Sequence, residues 1–276
     1  MWSIKFLKNN AKEFLRRYPK DAIIVCLIFF LLSSIFGDDT SYTNISVDIK
    51  DSYIYEEEYP LDNQKEFQID IFENSKLSKF LKTFLGDNVV LLNKLNNSLT
   101  LLVEPMIFAG MSLFFMLMSL FVVRPMSVGL KRYFIKGYQY DSNISYLISP
   151  FKDGTWSRLA IKLLIKDIYI FLWTLLLIVP GIIKFHEYYF VPYVLADDPD
   201  LSLKEAIAMS RELSQDDKFN IFLLNISFIG WIILSSILLN LGFVLLNPYM
   251  EATRASLYIV KKKFLAEKYA NSVSYS

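Results

Sequence analysis

The chain has 276 residues, of which 54% are hydrophobic, with 23 Phe and 17 Tyr. A soluble domain is about 45–50% apolar, and the excess here is gathered in runs. The net charge of +1 excludes a global field for nucleic acid, and the single cysteine, Cys26, excludes an intrachain disulfide and reads as a small apolar space-filler.

Residues 1–20 carry Lys5, Lys8, Lys12, Arg16, Arg17 and Lys20 against Glu13. Phe6, Leu7, Phe14 and Leu15 recur near helical spacing, which predicts a basic interfacial helix on an anionic leaflet, ended by Pro19. Residues 21–36 follow as a first span, uncleaved because Ser33/Ile35 and Ser34/Phe36 are not small-x-small pairs. Its basic flank places the N-terminus in the cytoplasm.

Residues 37–99 hold 12 acidic and 6 basic side chains. Ile45, Val47 and Ile49 alternate, as do Phe67, Ile69 and Ile71, so two short strands are expected, paired as a hairpin. Ser75 is a candidate N-cap for a helix bearing Leu77, Phe80, Leu81, Phe84 and Leu85, closed by Gly86. The reading is a small external α+β insertion.

From Leu101 the chain is apolar to Val123 and then amphipathic to Gly137. Its 37 residues would make ~55 Å of helix, one span with an end kinked at Pro125. Arg124, Lys131, Arg132 and Lys136 mark that end as cytoplasmic. Leu159–Ala196, 38 residues or ~57 Å if straight, and Phe219–Val260 each read as a hairpin of two spans. Pro180-Gly181 interrupts the first, and Leu241-Gly242 with Asn247-Pro248 the second. The expected fold is therefore an all-α, multispanning membrane helix bundle over residues 100–276, with about six transmembrane helices in three hairpins and both termini cytoplasmic. A four-span alternative, with each block one kinked helix, differs only in placing Asp197–Lys218 outside.

Between the two blocks Ser202 and Glu205 form a capping box. Leu203, Ala206, Ile207, Ser210 and Leu213 share one face of a helix expected near 202–214. Asp197, Asp198 and Asp200 precede its N-terminus, where negative charge is favoured.

LWTLLLIVPGIIK, PYVLADDPDLSLKEAIAMSREL, NISFIGW and the NPY…T…Y ending resemble the bacterial integral membrane family called domain of unknown function 975. The resemblance runs from about Val123 to Tyr258 and sets Pro180, Gly181, Lys184, Pro192, Tyr193, Asp197, Pro199, Ser210 and Arg211 on the family pattern. Arg124-Pro125 replaces a usual Gly-Pro, and residues 37–99 have no counterpart. The resemblance implies a multispanning membrane protein, often six-helical, with no established activity.

Gly-x-Gly loops, a Gly-x-Ser-x-Gly elbow and histidine clusters are missing from the sequence, so no enzyme, cofactor or metal is expected. His186 is the lone histidine and reads as part of a polar stripe with Lys184 and Glu187. Lys184/Glu187 and Glu251/Arg254 each lie three apart on a helix. With His186 and Tyr193 they make the candidate intramembrane polar cluster, in which Glu187 is expected near Arg254. Tyr193 or Tyr249 would donate hydrogen bonds. The expected location is the cell (plasma) membrane, with the lipid bilayer as first partner. The expected function is assisting transport or export of a small molecule, lipid or peptide. The alternative is an immunity or envelope-stress protein that binds a membrane-active peptide or another membrane protein through the acidic insertion.

Overall fold

Pro19 divides the first two helices, because its ring fixes φ and its missing N–H suits only a first turn. In the computed structural model α1 is Ile4–Arg17 and α2 is Pro19–Phe36. The structure describes residues 2–36, 65–69, 89–92, 99–103, 105–215, 217–237 and 242–274. Contacts divide the chain into two units, Met1–Gly37 with Met118–Ser276, and Asp38–Leu117.

In the second unit, β1 (Lys65–Ile69), β2 (Val89–Leu92) and β3 (Leu99–Val103) form an antiparallel sheet in the order β1-β3-β2. Phe67 pairs with Leu101 and Leu91 with Leu101, so β3 is bonded along both edges. The strand expected over Phe67 and Ile69 is present as β1 and pairs with β3, while the strand expected over residues 45–49 and the helix expected from Ser75 lie outside the described residues. Leu101 is also a correction: it belongs to a strand, and helix α3 starts at Pro105 and runs to Met118, because proline is accepted in a helix's first turn.

Among its described residues the first unit is built of helices joined by short turns and loops. A π-helical turn, Ser119–Val123, leads into α4, Arg124–Gln139. Pro125 donates no hydrogen bond and its ring crowds the carbonyl four residues back, and the wide turn accommodates it. After a 3-10 turn at Ile144–Ile148 come α5 (Ser149–Lys152), α6 (Trp156–Leu176), α7 (Ile178–Glu187), α8 (Val191–Asp197) and α9 (Leu203–Ser214). The unit closes with α10 (Lys218–Ile226), α11 (Ile229–Ile237) and α12 (Phe243–Ser274).

Among the described residues three helical stretches are long and apolar enough to cross a membrane: Pro19–Phe36, which is α2, Ala109–Gln139, which runs from α3 through the π-helical turn into α4, and Lys218–Ile237, which joins α10 and α11. The expected six full-length spans are not what these helices provide. Helix α6 carries Arg158, Lys162, Lys166 and Asp167 between its start and its middle, α7 has only 10 residues, and Glu251 and Arg254 follow soon after α12 begins.

The blocks nevertheless fold as hairpins. Helix α6 packs on α7, and α11 on α12. The turn between α6 and α7 falls at Leu177, whose extended φ of −158° breaks the helix. Pro180-Gly181, expected to be that turn, lies within α7, where Gly181 faces Thr174; a Cβ there would meet the Thr174 Cα at 2.7 Å. Gly242 does the same against Ser235, where the corresponding distance is 2.8 Å. Each hairpin therefore closes a glycine on a small residue, which lets the two backbones approach. Asn247-Pro248, also expected to interrupt, lies inside α12.

The packed core sits away from the tip of the α6–α7 hairpin. Helix α1 lays Leu7, Ala11 and Phe14 against α12 and α4, with Phe14 among Tyr18, Tyr133, Phe134 and Tyr138. Its apolar face is thus occupied by protein. Cys26 is buried with a free thiol.

Candidate functional site

The cluster residues form two ionic centres. The first is built on Glu187, the last residue of α7. Lys184, one turn earlier, reaches its carboxylate at 2.7 Å. Lys218, at the start of α10, lies at 2.9 Å, and Arg211 of α9 at 3.4 Å. Lys184 also sits 5.3 Å from the centre of the Trp173 ring, and Arg211 5.6 Å from that of Tyr188. One carboxylate thus faces three cations from three helices.

The backbone at this point is held by Ser210. Its Oγ donates to the Glu187 carbonyl at 2.7 Å and accepts from the Phe190 N–H at 3.1 Å. These are backbone groups freed where α7 ends and α8 begins, which must find partners when buried. The Ser202–Glu205 capping box is formed in both directions, so α9 begins where the sequence places it. The Ser202 hydroxyl and N–H hold Glu205 below the usual carboxylate range.

The second centre is built on Glu251 of α12. Arg254 pairs with it at 3.0 Å and Lys131 of α4 at 3.6 Å. Tyr193 of α8 donates from its hydroxyl at 3.5 Å, and its ring stacks on Tyr189 and Tyr258. A second Arg254 nitrogen reaches Asn225 Oδ1 at 3.4 Å. Arg254 Nε and the Tyr189 hydroxyl are sealed from solvent outside hydrogen-bond geometry.

Expected partners are therefore redistributed. Arg254 pairs with Glu251 on its own helix, and Glu187 draws Lys184, Lys218 and Arg211. His186 is buried, with Nδ1 2.9 Å from the Ile182 carbonyl and its ring against Phe185 and Phe222. Tyr249 meets Phe228 edge-on. Lys131, Arg211 and Lys218 escaped the sequence reading because their carboxylates lie on other helices. Only the three-residue spacings were visible.

Other charges are used in packing. Arg132 donates to the Ala196 carbonyl, Ser149 and Asp153, and Arg124 pairs with Asp167. Asp197 accepts from Tyr258 and Lys262, Asp198 caps the Asp200 N–H, and Asp200 pairs with Arg158. Among the described residues no three His, Cys, Asp or Glu side chains converge as a metal site.

A clasp ties the chain's two ends. Asp217 accepts from Trp2 Nε1 at 2.9 Å, Lys261 at 2.7 Å and Asn220 at 2.8 Å. Burial alone would raise its pKa, but these donors outweigh it and hold the carboxyl below its ordinary value.

No curated protein and no solved structure matches the chain. Residues 175–263 match the family described as Protein of unknown function (DUF975). This match begins later than Val123 and ends just beyond Tyr258. It takes in α7 to α10, both ionic centres apart from Lys131, and the second hairpin, and over this stretch the family resembled in the sequence is the one matched.

Proposed function

We propose that this is a non-enzymatic cell-membrane protein, with both termini and Asp197–Lys218 cytoplasmic and residues 37–99 external, that assists the movement of an anionic amphiphile, a lipid foremost. The observation carrying this reading is the Glu187 centre, where three cations surround one carboxylate and leave an excess of positive charge. Exposed apolar side chains flank it, Phe185 on α7 and Phe219 and Phe222 on α10. Cations beside an apolar surface suit a phosphate headgroup whose acyl chains remain in lipid.

The test is reconstitution into liposomes containing a fluorescent anionic phospholipid, whose passage between leaflets is followed by bleaching the outer leaflet. Wild type should accelerate the exchange, and Arg211→Gln with Lys218→Gln should slow it severalfold. Exchange at the protein-free rate rejects the reading. A second reading, an immunity or envelope-stress role, is favoured by the acidic excess in residues 37–99. It predicts that deleting them abolishes protection against a cationic membrane-active peptide.

A further inference from the structure

The first hairpin is chemically unlike a pair of membrane spans. Its tip, Leu175 to Val179, has no polar side chain, and these five residues are between 62% and 73% exposed. A loop emerging on the far side of a bilayer would place them in water. The nearby Thr174 hydroxyl is turned inward and donates to the Ile170 carbonyl at 2.8 Å, which removes the only side-chain hydroxyl near the tip from competition for water. Ile168, Phe171, Leu172, Ile182, Ile183 and Phe185 continue the exposed apolar surface down both legs.

A layer of charge lies at the base of this surface. On α6 it consists of Lys166 and Asp167, the latter also held by Arg124. On α7 it consists of Lys184 and Glu187, which continue into Lys218 and Arg211. Arg211 belongs to α9, whose Lys204, Glu205, Arg211 and Glu212 are exposed. That helix has a polar outer face, so the Glu187 level is a water boundary. From there, the 10 residues of α7 rise ~15 Å to the tip, and Ile168–Leu176 rise ~14 Å on the other leg at ~1.5 Å per residue. A hydrocarbon core is ~30 Å thick. Neither leg reaches across it.

We infer that α6 and α7 form a re-entrant hairpin that enters from the face bearing α9, buries its Leu175–Val179 tip among the acyl chains near the middle of the bilayer, and returns to the same face. Its partner is a single lipid leaflet. At the tip the Leu177 N–H bonds to the Trp173 carbonyl at 3.1 Å and the Gly181 N–H to the Leu177 carbonyl at 3.1 Å, and Pro180 carries no N–H, so the break is confined to one extended residue between two helices. Gly181 against Thr174 keeps the wedge narrow.

This inference rests on residence in the membrane, which carbonate extraction checks separately: the wild-type chain should stay in the pellet. Cysteines are then placed one at a time in a Cys26→Ser background, at the tip by Val179→Cys or Leu177→Cys and on α9 by Lys204→Cys. Membrane vesicles of both orientations are treated with an impermeant maleimide. The α9 cysteine should react in one orientation only. Both tip cysteines should resist the reagent in both orientations and react once detergent is added. In liposomes, a fluorophore on the tip cysteine should be quenched severalfold more by a spin label deep in the acyl chain than by one on the headgroup. Tip labelling from the face opposite the α9 cysteine would establish two full spans and overturn the inference. Tip labelling from the same face as the α9 cysteine would show that the hairpin is outside lipid, and would overturn it equally.

Discussion

Replacing Glu251 by Gln should destabilise the protein more than replacing Glu187 by Gln, although both carboxylates carry several cations. The Glu251 side chain is 12% exposed, and its partners Lys131 and Arg254 are 16% and 27% exposed. At Glu187 two of the three partners are well solvated, with Lys218 39% and Arg211 50% exposed. Removing the anion from the first centre leaves two cations poorly hydrated, for which the cost is about 3–5 kcal/mol. Removing it from the second leaves Lys218 and Arg211 to water, and solvent-screened pairs of that kind contribute about 1 kcal/mol or less, with only Lys184, 20% exposed, left poorly hydrated. The side chains are isosteric, and Tyr193 can still donate to the amide oxygen, so packing is held constant. Unfolding in mixed micelles under increasing SDS should therefore find Glu251→Gln the less stable variant by about 1–2 kcal/mol, since two poorly hydrated cations are left at that centre and one at the other. A double-mutant cycle of Glu251→Gln and Arg254→Gln should also show coupling of about 0.5–3 kcal/mol. Equal losses at Glu251 and Glu187, or strictly additive losses at Glu251 and Arg254, would refute the reasoning.

The Asp217 clasp should open in acid: a carboxyl held below its ordinary pKa contributes stability that is present above the unfolded-state value and lost as pH falls through the folded one. Trp2 emission, read in a variant with Trp156, Trp173 and Trp231 changed to Phe, should stay constant from neutral pH to about 4 and change only below it, and Asp217→Asn should show the open signal at neutral pH. Gly129→Ala should be strongly destabilising, because its Cβ would fall 2.0 Å from the Leu147 carbonyl oxygen, whereas Gly230→Ala, with nothing within 4 Å, should stabilise α11 by up to about 1 kcal/mol; thermal midpoints in one detergent compare the two. Gly181→Val should splay the first hairpin while Gly110→Ala leaves the protein unchanged, as reported by disulfide trapping between cysteines placed at Ile170 and Phe185.

Local chemistry was legible wherever it is self-contained. Ser202 and Glu205 are three residues apart and satisfy each other's backbone, so the start of α9 could be read without knowing what it packs on. Pro19 ended a helix for the same reason. Proline and glycine misled where neighbours decide. Pro180-Gly181 looks like a turn, yet proline also fits a helix's first turn, and Gly181 is needed for its closeness to Thr174. The leucines from 99 to 103 looked like the beginning of a span because their strand pairing is set by residues 65–69 and 89–92. In the ionic centres the intrahelical pairs were visible, whereas Lys131, Lys218 and Arg211 arrive from other helices. Apolar runs gave hairpins but not their depth, which depends on how far the charge layer lies from the tip.

The attachment of α1 has a consequence for the order of assembly. Trp2 bonds to Asp217, Lys8 to the Ser227 carbonyl at 3.2 Å, and Asn10 to Ser256 at 3.1 Å. Helix α1 therefore docks on α12, which leaves the ribosome only after α2 to α11 have been made. Such distant pairings are the slow part of folding. Until α12 emerges, Phe14 has its ring partners on α4 but the rest of the apolar face of α1 lacks the helix it packs on most, and a basic amphipathic helix in that condition adheres to an anionic bilayer surface. Its membrane-binding pattern would then serve the nascent chain, holding the N-terminus at the surface until α12 takes over the same face.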